Sequence, residues 1–233
     1  MIGLGDIGIS YDMELAQDTY VYSHCRAFYQ NNYFNLVAGV DTDDRFHLNL
    51  KEQYKAKPYF SIKEAMEEEK PNLVVVSVPT EIHLDTILNI LEYDCLEAIL
   101  CEKPISESLE TSSKIVEACS SRGIPLFINF FRKSDLSYLE ITHLMESTFL
   151  PPYKGFAWYS KGFLHNGSHI INLLSQWLGP VEDVQLYKSE KISQFDRIFE
   201  GMVIFQDGEI CFLSTEDLYT THSIELISSS GRL

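Results

Sequence analysis

The sequence predicts an α/β chain: a doubly wound parallel sheet in the first half, followed by a second α+β domain with a mostly antiparallel, open and incomplete sheet. Two patterns predict it. Up to about residue 131, short β-branched runs alternate with helical patterns, as in a parallel sheet covered on both faces. Beyond that point helical stretches come first and strands follow, the order of an α+β domain. A chain of 233 residues is long enough for two modest domains, since single cores rarely outgrow roughly 100 to 200 residues. The expected domains are 1–131 and 132–233.

The elements follow in order. Met1–Leu4, Phe34–Val40, Leu73–Val78, Ala98–Cys101 and Leu126–Phe131 read as strands. A helix is expected near Ser23–Tyr29. Ser61-Ile62-Lys63-Glu64 has the spacing of a capping box, in which hydroxyl and carboxylate satisfy each other's orphan amides at a helix start. Leu84, Ile87, Leu88 and Leu91 repeat at helical spacing, and Ser106 caps a helix running to Gly123. In the second half Asp135–Ser147 reads as a helix, and Ile170, Leu173, Leu174, Trp177 and Leu178 form one apolar helical face. Ile198–Phe205 and Glu209–Thr215 flank Asp207-Gly208, a pair suited to the positive φ of a type I′ turn, so an antiparallel hairpin is expected. His222–Ser228 adds a strand.

Composition narrows the function. Hydrophobic residues are 45% and charged residues 22% of the chain, a globular balance. A formal net charge of −16 repels phosphate backbones and anionic lipid surfaces, so neither nucleic acid nor membrane is an expected partner and a small molecule is. The five cysteines, Cys25, Cys95, Cys101, Cys119 and Cys211, show no C-x-x-C pair and read as buried thiols of a reducing compartment. With no signal-peptide pattern and no apolar run of the ~20 residues needed to span a bilayer, the expected location is cytoplasmic.

Gly3-Leu4-Gly5-Asp6-Ile7-Gly8 matches G-x-G-x-x-G, where glycines allow a tight turn and let backbone amides approach a pyrophosphate at a helix N-terminus. The match predicts a Rossmann domain, with a surface turn as the structural alternative. Asp41 ends the apolar run Leu36–Val40 and is placed to accept hydrogen bonds from the adenosine ribose hydroxyls; a carboxylate there repels a 2′-phosphate. NAD(H) is therefore favoured over NADP(H). Asp41 lies further from Gly8 than the usual ~20-residue spacing, and Ile9–Thr19 reads as an inserted loop.

Further along stand Val78-Pro79-Thr80 with His83, Cys101-Glu102-Lys103-Pro104, Asn129, Arg132, and Gly162 with His165-Asn166-Gly167-Ser168-His169. In this order and approximate spacing the chain resembles the Gfo/Idh/MocA oxidoreductases, the family of glucose-fructose oxidoreductase and inositol dehydrogenase, and Glu-Lys-Pro is its most specific mark. The resemblance implies that Lys103 lies beside the nicotinamide and bonds the hydroxyl or carbonyl that reacts. It implies a bond before Pro104 that is often cis, and Pro79, Thr80 and His83 packed along the cofactor with Val78, Glu102 and Asn129 nearby. Arg132, Tyr159, Lys161, His165, Asn166 and His169 would line the substrate pocket.

Oxidising a carbinol needs the O–H proton removed as the carbonyl forms, so a cation that stabilises developing alkoxide and a nearby base act together. Lys103 offers the cation and His169 the base. Relatives often carry acids where this chain has His165 and Asn172, so the proton relay runs through His169, His165 or both. A metal site at His165 and His169 is not expected, because no acidic third ligand accompanies them. The expected activity is reversible oxidation of a secondary alcohol on a sugar, polyol or nucleotide-sugar; the competing reading is a dinucleotide-binding regulatory or assembly protein that lost its chemistry. Relatives continue past the position of Leu233 through further strands. An incomplete sheet with an unpaired edge invites pairing with another chain, so a homodimer or higher oligomer is expected.

Overall fold

The computed structural model describes residues 1–16, 19–216 and 218–233. Two positions of the predicted insertion Ile9–Thr19, 17 and 18, lie outside the described residues. Two compact units make up the chain, Met1–Asn129 and Phe130–Leu233, each with a core of its own.

The first unit is a parallel sheet. Strands β1 (Ala38–Val40) and β2 (Lys57–Tyr59) pair in parallel, as do β3 (Leu73–Val76), β4 (Ala98–Cys101) and β5 (Leu126–Ile128). Ile2 joins the two groups by parallel bridges to Val40 and Val76, so the order is β2-β1-(Met1–Gly3)-β3-β4-β5. The predicted strand Met1–Leu4 shrinks to this bridge, yet it is the centre of the sheet: Ile2 N donates to Val75 O at 2.8 Å and Ser77 N to Ile2 O at 2.8 Å. The strands predicted over Phe34–Val40, Leu73–Val78 and Leu126–Phe131 are also shorter than expected, because their flanks are spent on turns. Phe34 is exposed, and the Ser77 hydroxyl turns back to the carbonyls of Ile2 and Gly3.

Helices α1 (His24–Gln30), α2 (His47–Tyr54), α3 (Ile62–Glu69), α4 (His83–Ile90) and α5 (Leu109–Ser121) connect the strands. Ala65 and Met66 of α3, Ile87 and Ile90 of α4, and Ile115 and Cys119 of α5 share one core with Val40, Val76, Ile99 and Cys101. Cys25 of α1 and Leu50 and Tyr54 of α2 form a second cluster with Leu4 and Ile9. Leu88, expected on the buried face of α4, is exposed and Ile90 takes that role. The capping box at Ser61 does not form: Ser61 is the N-cap residue but accepts no cap hydrogen bond. Helix α5 is capped by Ser108, which accepts from Thr111 N at 3.1 Å, rather than by Ser106, whose hydroxyl bonds Ser108 O and Ser112 Oγ.

In the second unit α6 (Leu136–Ser147), capped by Asp135, and α7 (Ser168–Trp177) share a core with a six-stranded sheet. Its order is β11 (Gly231–Arg232), β10 (His222–Ser228), β6 (Tyr153–Tyr159), β9 (Gly208–Ser214), β8 (Arg197–Phe205), β7 (Val181–Lys191). Every pair is antiparallel except β6 with β9. Ile170, Leu174 and Leu178 pack with Ala157, Val203, Phe205, Ile210, Phe212 and Leu226. Phe156, Trp158 and Ile227 are exposed, and β7 is exposed along its length. The β8–β9 hairpin turns at Gln206-Asp207 and not at Asp207-Gly208: Phe205 pairs with Gly208, and no positive φ occurs at these residues. The turn is instead held from outside, Gln206 N donating to Pro180 O at 3.0 Å and Asp207 N to Leu178 O at 2.9 Å. No described helix is long and apolar enough to cross a membrane.

Candidate functional site

In the first unit the glycine loop lies at the carboxyl end of the Met1–Gly3 bridge, where ligands of parallel sheets gather. Gly3 has φ of +91°, and a Cβ there would meet Ser77 O at 2.6 Å. A Cβ on Gly8 would meet Gly3 O at 2.4 Å, so the first and third glycines let the loop close on itself. Beside Gly5 there is open space. Among the described residues no group accepts a hydrogen bond from the amides of Gly5, Asp6, Ile7 or Gly8, while the next amides, Ile9 N and Ser10 N, turn back to Gly5 O. Four successive N–H groups without an internal partner form a concavity fitted to an anion, and they fit a dinucleotide pyrophosphate.

The helix expected directly after the loop is displaced. A turn and a short 3₁₀ segment, Ser10–Asp12, follow Gly8, and α1 begins only at His24. The insertion rejoins the loop tightly, because His24 N donates to Ile7 O and Cys25 N to Gly8 O, both at 2.9 Å. Its return path is built on a buried ion pair. Asp12 is 0% and Arg26 1% exposed; Asp12 Oδ2 accepts from Tyr22 N (2.6 Å) and Ser23 N (2.7 Å), and Oδ1 accepts from Ser23 Oγ (2.7 Å). Arg26 donates to the carbonyls of Asp12, Leu15 and Tyr20. Sequence reasoning missed this pair, since an Asp and an Arg near a loop read as surface charges.

Asp41 follows β1, with Oδ2 accepting from Leu4 N at 2.7 Å and Oδ1 from Asp43 N at 2.9 Å. Its carboxylate thus stands beside the glycine loop with lone pairs left for ribose hydroxyls. Arg45, the first cation after it, is drawn to Asp43 at 2.5 Å and leans over the Phe46 ring at 5.6 Å. The hydrogen bond from the Arg45 main-chain amide, reinforced by the Arg45 side chain, holds the Asp43 carboxyl below its ordinary range. Asp6 is exposed and accepts from Ser10 Oγ at 2.8 Å.

At the same end of the sheet, β4 runs into Glu102-Lys103-Pro104, with a cis bond between Lys103 and Pro104. Glu102 Oε1 accepts from His24 Nε2 at 2.8 Å and from Asn129 Nδ2 at 2.5 Å, and Oε2 from Lys103 N at 3.2 Å. Burial pushes this carboxyl upward, but the bonds from His24, Asn129 and the Lys103 amide outweigh it and hold it below the usual carboxylate range. Glu102 therefore stays ionised and fixes the backbone from which Lys103 projects, itself half-buried. His24 was not foreseen, because nothing local marks a side chain that bonds 78 residues away.

His83 requires a correction. Expected along the cofactor, its ring is 0% exposed and both its nitrogens face main-chain carbonyls, Nε2 3.0 Å from Val78 O and Nδ1 3.1 Å from Ile105 O. It staples the turn of Val78, Pro79 and Thr80 to the turn that follows Lys103. Pro79 is exposed and Val78 and Thr80 partly so. A cavity of about 490 Å³ lined by Phe34, Leu36, Ile62, Pro71 and Leu73 opens at the amino ends of the strands, the opposite end from these groups.

In the second unit Phe163–Gly167 forms a π-helical turn leading into α7. Asp196 closes it, accepting from Leu164 N at 2.8 Å and His165 N at 3.0 Å. His165 is exposed, whereas His169 is buried among the rings of Phe130, Phe131 and His222. Asn166 spends its amide on Ser160 O at 2.8 Å and accepts at its carbonyl from His222 Nε2 at 3.3 Å. Lys161 is exposed, with φ of +61°. Tyr159, expected in the substrate pocket, is instead a core residue at 0% exposure; its hydroxyl donates to Phe199 O at 2.6 Å and accepts from Phe199 N at 2.7 Å. Arg132 and His222 line a cavity of about 340 Å³ with Tyr138, Leu173 and Trp177.

Burial, reinforced by the Arg132 charge, depresses His222 to about 4. The unfolded chain then binds a proton that the folded unit refuses, so stability is expected to fall as pH drops from about 6.5 toward 4. Thermal melts across that range should show the loss, and His222→Phe should flatten it.

A sequence model described as an oxidoreductase family with an NAD-binding Rossmann fold, GFO_IDH_MocA, matches residues 1–130. The chain belongs to the Gfo/Idh/MocA oxidoreductase family. Among curated relatives of this Gfo/Idh/MocA protein, an inositol 2-dehydrogenase of Rubrobacter xylanophilus is 26% identical over 113 residues, 48% of this chain and 32% of that protein. The match therefore spans about a third of that relative's length. Among solved structures, the WlbA dehydrogenase of Bordetella pertussis, crystallised with NADH and UDP-GlcNAcA, has a TM-score of 0.76 at 17% identity, covering 98% of this chain and 74% of that one. A putative myo-inositol dehydrogenase of Sinorhizobium meliloti gives 0.79 at 17% identity, covering 100% and 73%. At these identities the structures speak for the fold, a parallel Rossmann sheet followed by a mostly antiparallel one.

Proposed function

We propose that the protein is an NAD(H)-dependent dehydrogenase acting on a secondary alcohol or ketone of a sugar, polyol or nucleotide-sugar. The observation that carries this reading is one end of the first unit's sheet, where four unbonded loop amides and Asp41 stand with a lysine held by an ionised glutamate. Bound nicotinamide supplies the hydride acceptor or donor. Lys103 stabilises the charge that develops on the substrate oxygen as its proton leaves. His169, with His165 as the alternative, takes or returns that proton. Substrates of this class fit the names of the relatives, which include an inositol dehydrogenase and a dehydrogenase crystallised with a nucleotide-sugar. Asn172 and His165, standing where relatives often carry acids, favour as second reading a dinucleotide-binding regulatory protein.

Fluorescence titration tests the cofactor assignment. NADH is expected to bind at least about tenfold more tightly than NADPH, since Asp41 faces a 2′-phosphate with like charge and Asp43 occupies Arg45; tighter binding of NADPH would overturn the role given to Asp41. A panel of sugars, polyols and nucleotide-sugars with NAD⁺ then separates the two readings: turnover supports the dehydrogenase, and NADH binding without any turnover supports the regulator. We also propose self-association through the sheet of the second unit, whose exposed strand β7 offers an unpaired edge. Sedimentation should give a dimer or larger, and a monomer at micromolar concentration would refute it.

A further inference from the structure

We propose that His24 is a positioning residue that carries occupation of the glycine loop to Lys103. The proposal rests on the dehydrogenase reading for its purpose and on geometry for its substance. One residue makes both connections. Its backbone N–H donates to Ile7 O at 2.9 Å, and its ring donates to Glu102 Oε1 at 2.8 Å.

The first connection bears on how the loop holds an anion. The carbonyl of Ile7 belongs to the same peptide unit as the amide of Gly8, one of the four without an internal partner. A peptide whose carbonyl accepts a hydrogen bond is polarised to donate more strongly from its N–H. Gly5 O, accepting from Ile9 N and Ser10 N, does the same for the amide of Asp6. An anion drawn to these amides thus loads the peptide planes that His24 and the insertion hold.

The second connection passes that load to the lysine turn. Glu102 is nearly enclosed, its side chain 12% exposed beside a His24 side chain at 8%. Its other partners are Asn129 and the amide of Lys103. Without His24 the carboxylate would lose one of the two bonds on Oε1 inside a low-dielectric site, where an unmet charge is costly, and it would swing toward water or toward Lys103 itself. Either movement shifts the peptide that bears Lys103. His24 is kept in place by its neighbours: Ser23 caps α1 and gives both its amide and its hydroxyl to buried Asp12.

The test uses the full chain with its lysines reductively methylated with ¹³C-formaldehyde. Loss of a signal in Lys103→Arg assigns the Lys103 resonance. In the wild type this resonance is expected to move on saturation with NADH alone. In His24→Ala, shown to be folded by circular dichroism, the resonance of the NADH-free protein should already differ, and its movement with NADH should shrink at least about threefold. His24→Gln, whose amide can still donate to Glu102, should restore both. Should His24→Ala fail to fold, His24→Asn, too short to reach Glu102, takes its place with the same expectations. A wild-type Lys103 signal in the alanine or asparagine variant, with and without NADH, overturns the proposal, as does a glutamine variant that restores nothing. Failure of the wild type to bind NADH would strike the dehydrogenase reading instead, because the NADH-free comparison tests the link from His24 to the lysine turn by itself.

Discussion

Lys103→Ala is expected to lower turnover of the sugar or polyol substrate by about 10²- to 10⁴-fold, the usual cost of removing a positioned acid or base. In transition-state terms this is about 3 to 5 kcal/mol. The expectation is large because the lysine is pre-oriented: Glu102 bonds its amide and is itself locked by His24 and Asn129. An ordered cation aimed where an alkoxide develops needs no reorganisation during reaction. The loss should fall on kcat, with NADH affinity changed by less than about threefold, since the loop amides and Asp41 are untouched. Steady-state kinetics beside an NADH titration will decide it. A variant that retains more than half of wild-type turnover would remove Lys103 from the chemistry, and one that loses NADH binding in parallel would make it a cofactor residue.

Which parts of this site were legible in the sequence follows from where each determinant acts. The glycine loop, Asp41 and the Glu-Lys-Pro turn are marked locally, because each needs a particular residue type at a fixed place in a strand-to-turn junction. Hydrophobic alternation likewise exposed the strands and the amphipathic α7, whose Ile170 and Leu174 are buried as its period requires. Polar residues acting over long distances left no such mark. His83 and Tyr159 stand next to motif residues and were read as ligand contacts, yet both are enclosed, their polar atoms committed to backbone. A histidine or tyrosine in a motif is ambiguous in sequence, because the same side chain serves equally to bond a substrate or to tie two turns together. His24 and the Asp12–Arg26 pair were invisible for the complementary reason. Their partners are separated from them by an insertion or by most of the first unit, and no periodicity records such pairing.

Breaking that pair is expected to have the greatest effect on stability in the first unit. Arg26→Met keeps much of the side-chain volume but leaves the Asp12 side chain 0% exposed and without its cation, and removal of one partner from a buried pair costs about 3 to 5 kcal/mol. For a unit of this size that corresponds to a fall of roughly 10 °C or more in melting temperature. The arginine also ties the carbonyls of Leu15 and Tyr20 to α1, so the insertion should loosen, and with it the bonds from His24 and Cys25 to the glycine loop. NADH affinity is therefore expected to fall together with stability, which a purely structural surface pair would not cause. Adding Asp12→Asn to Arg26→Met should recover part of the stability, because the amide oxygen can still accept from Tyr22, Ser23 or both while the stranded charge is gone. Calorimetry and NADH titration on the two variants measure this directly. A single variant that melts within about 1 °C of the wild type would mean that the insertion is held by its main-chain bonds, with the ion pair incidental.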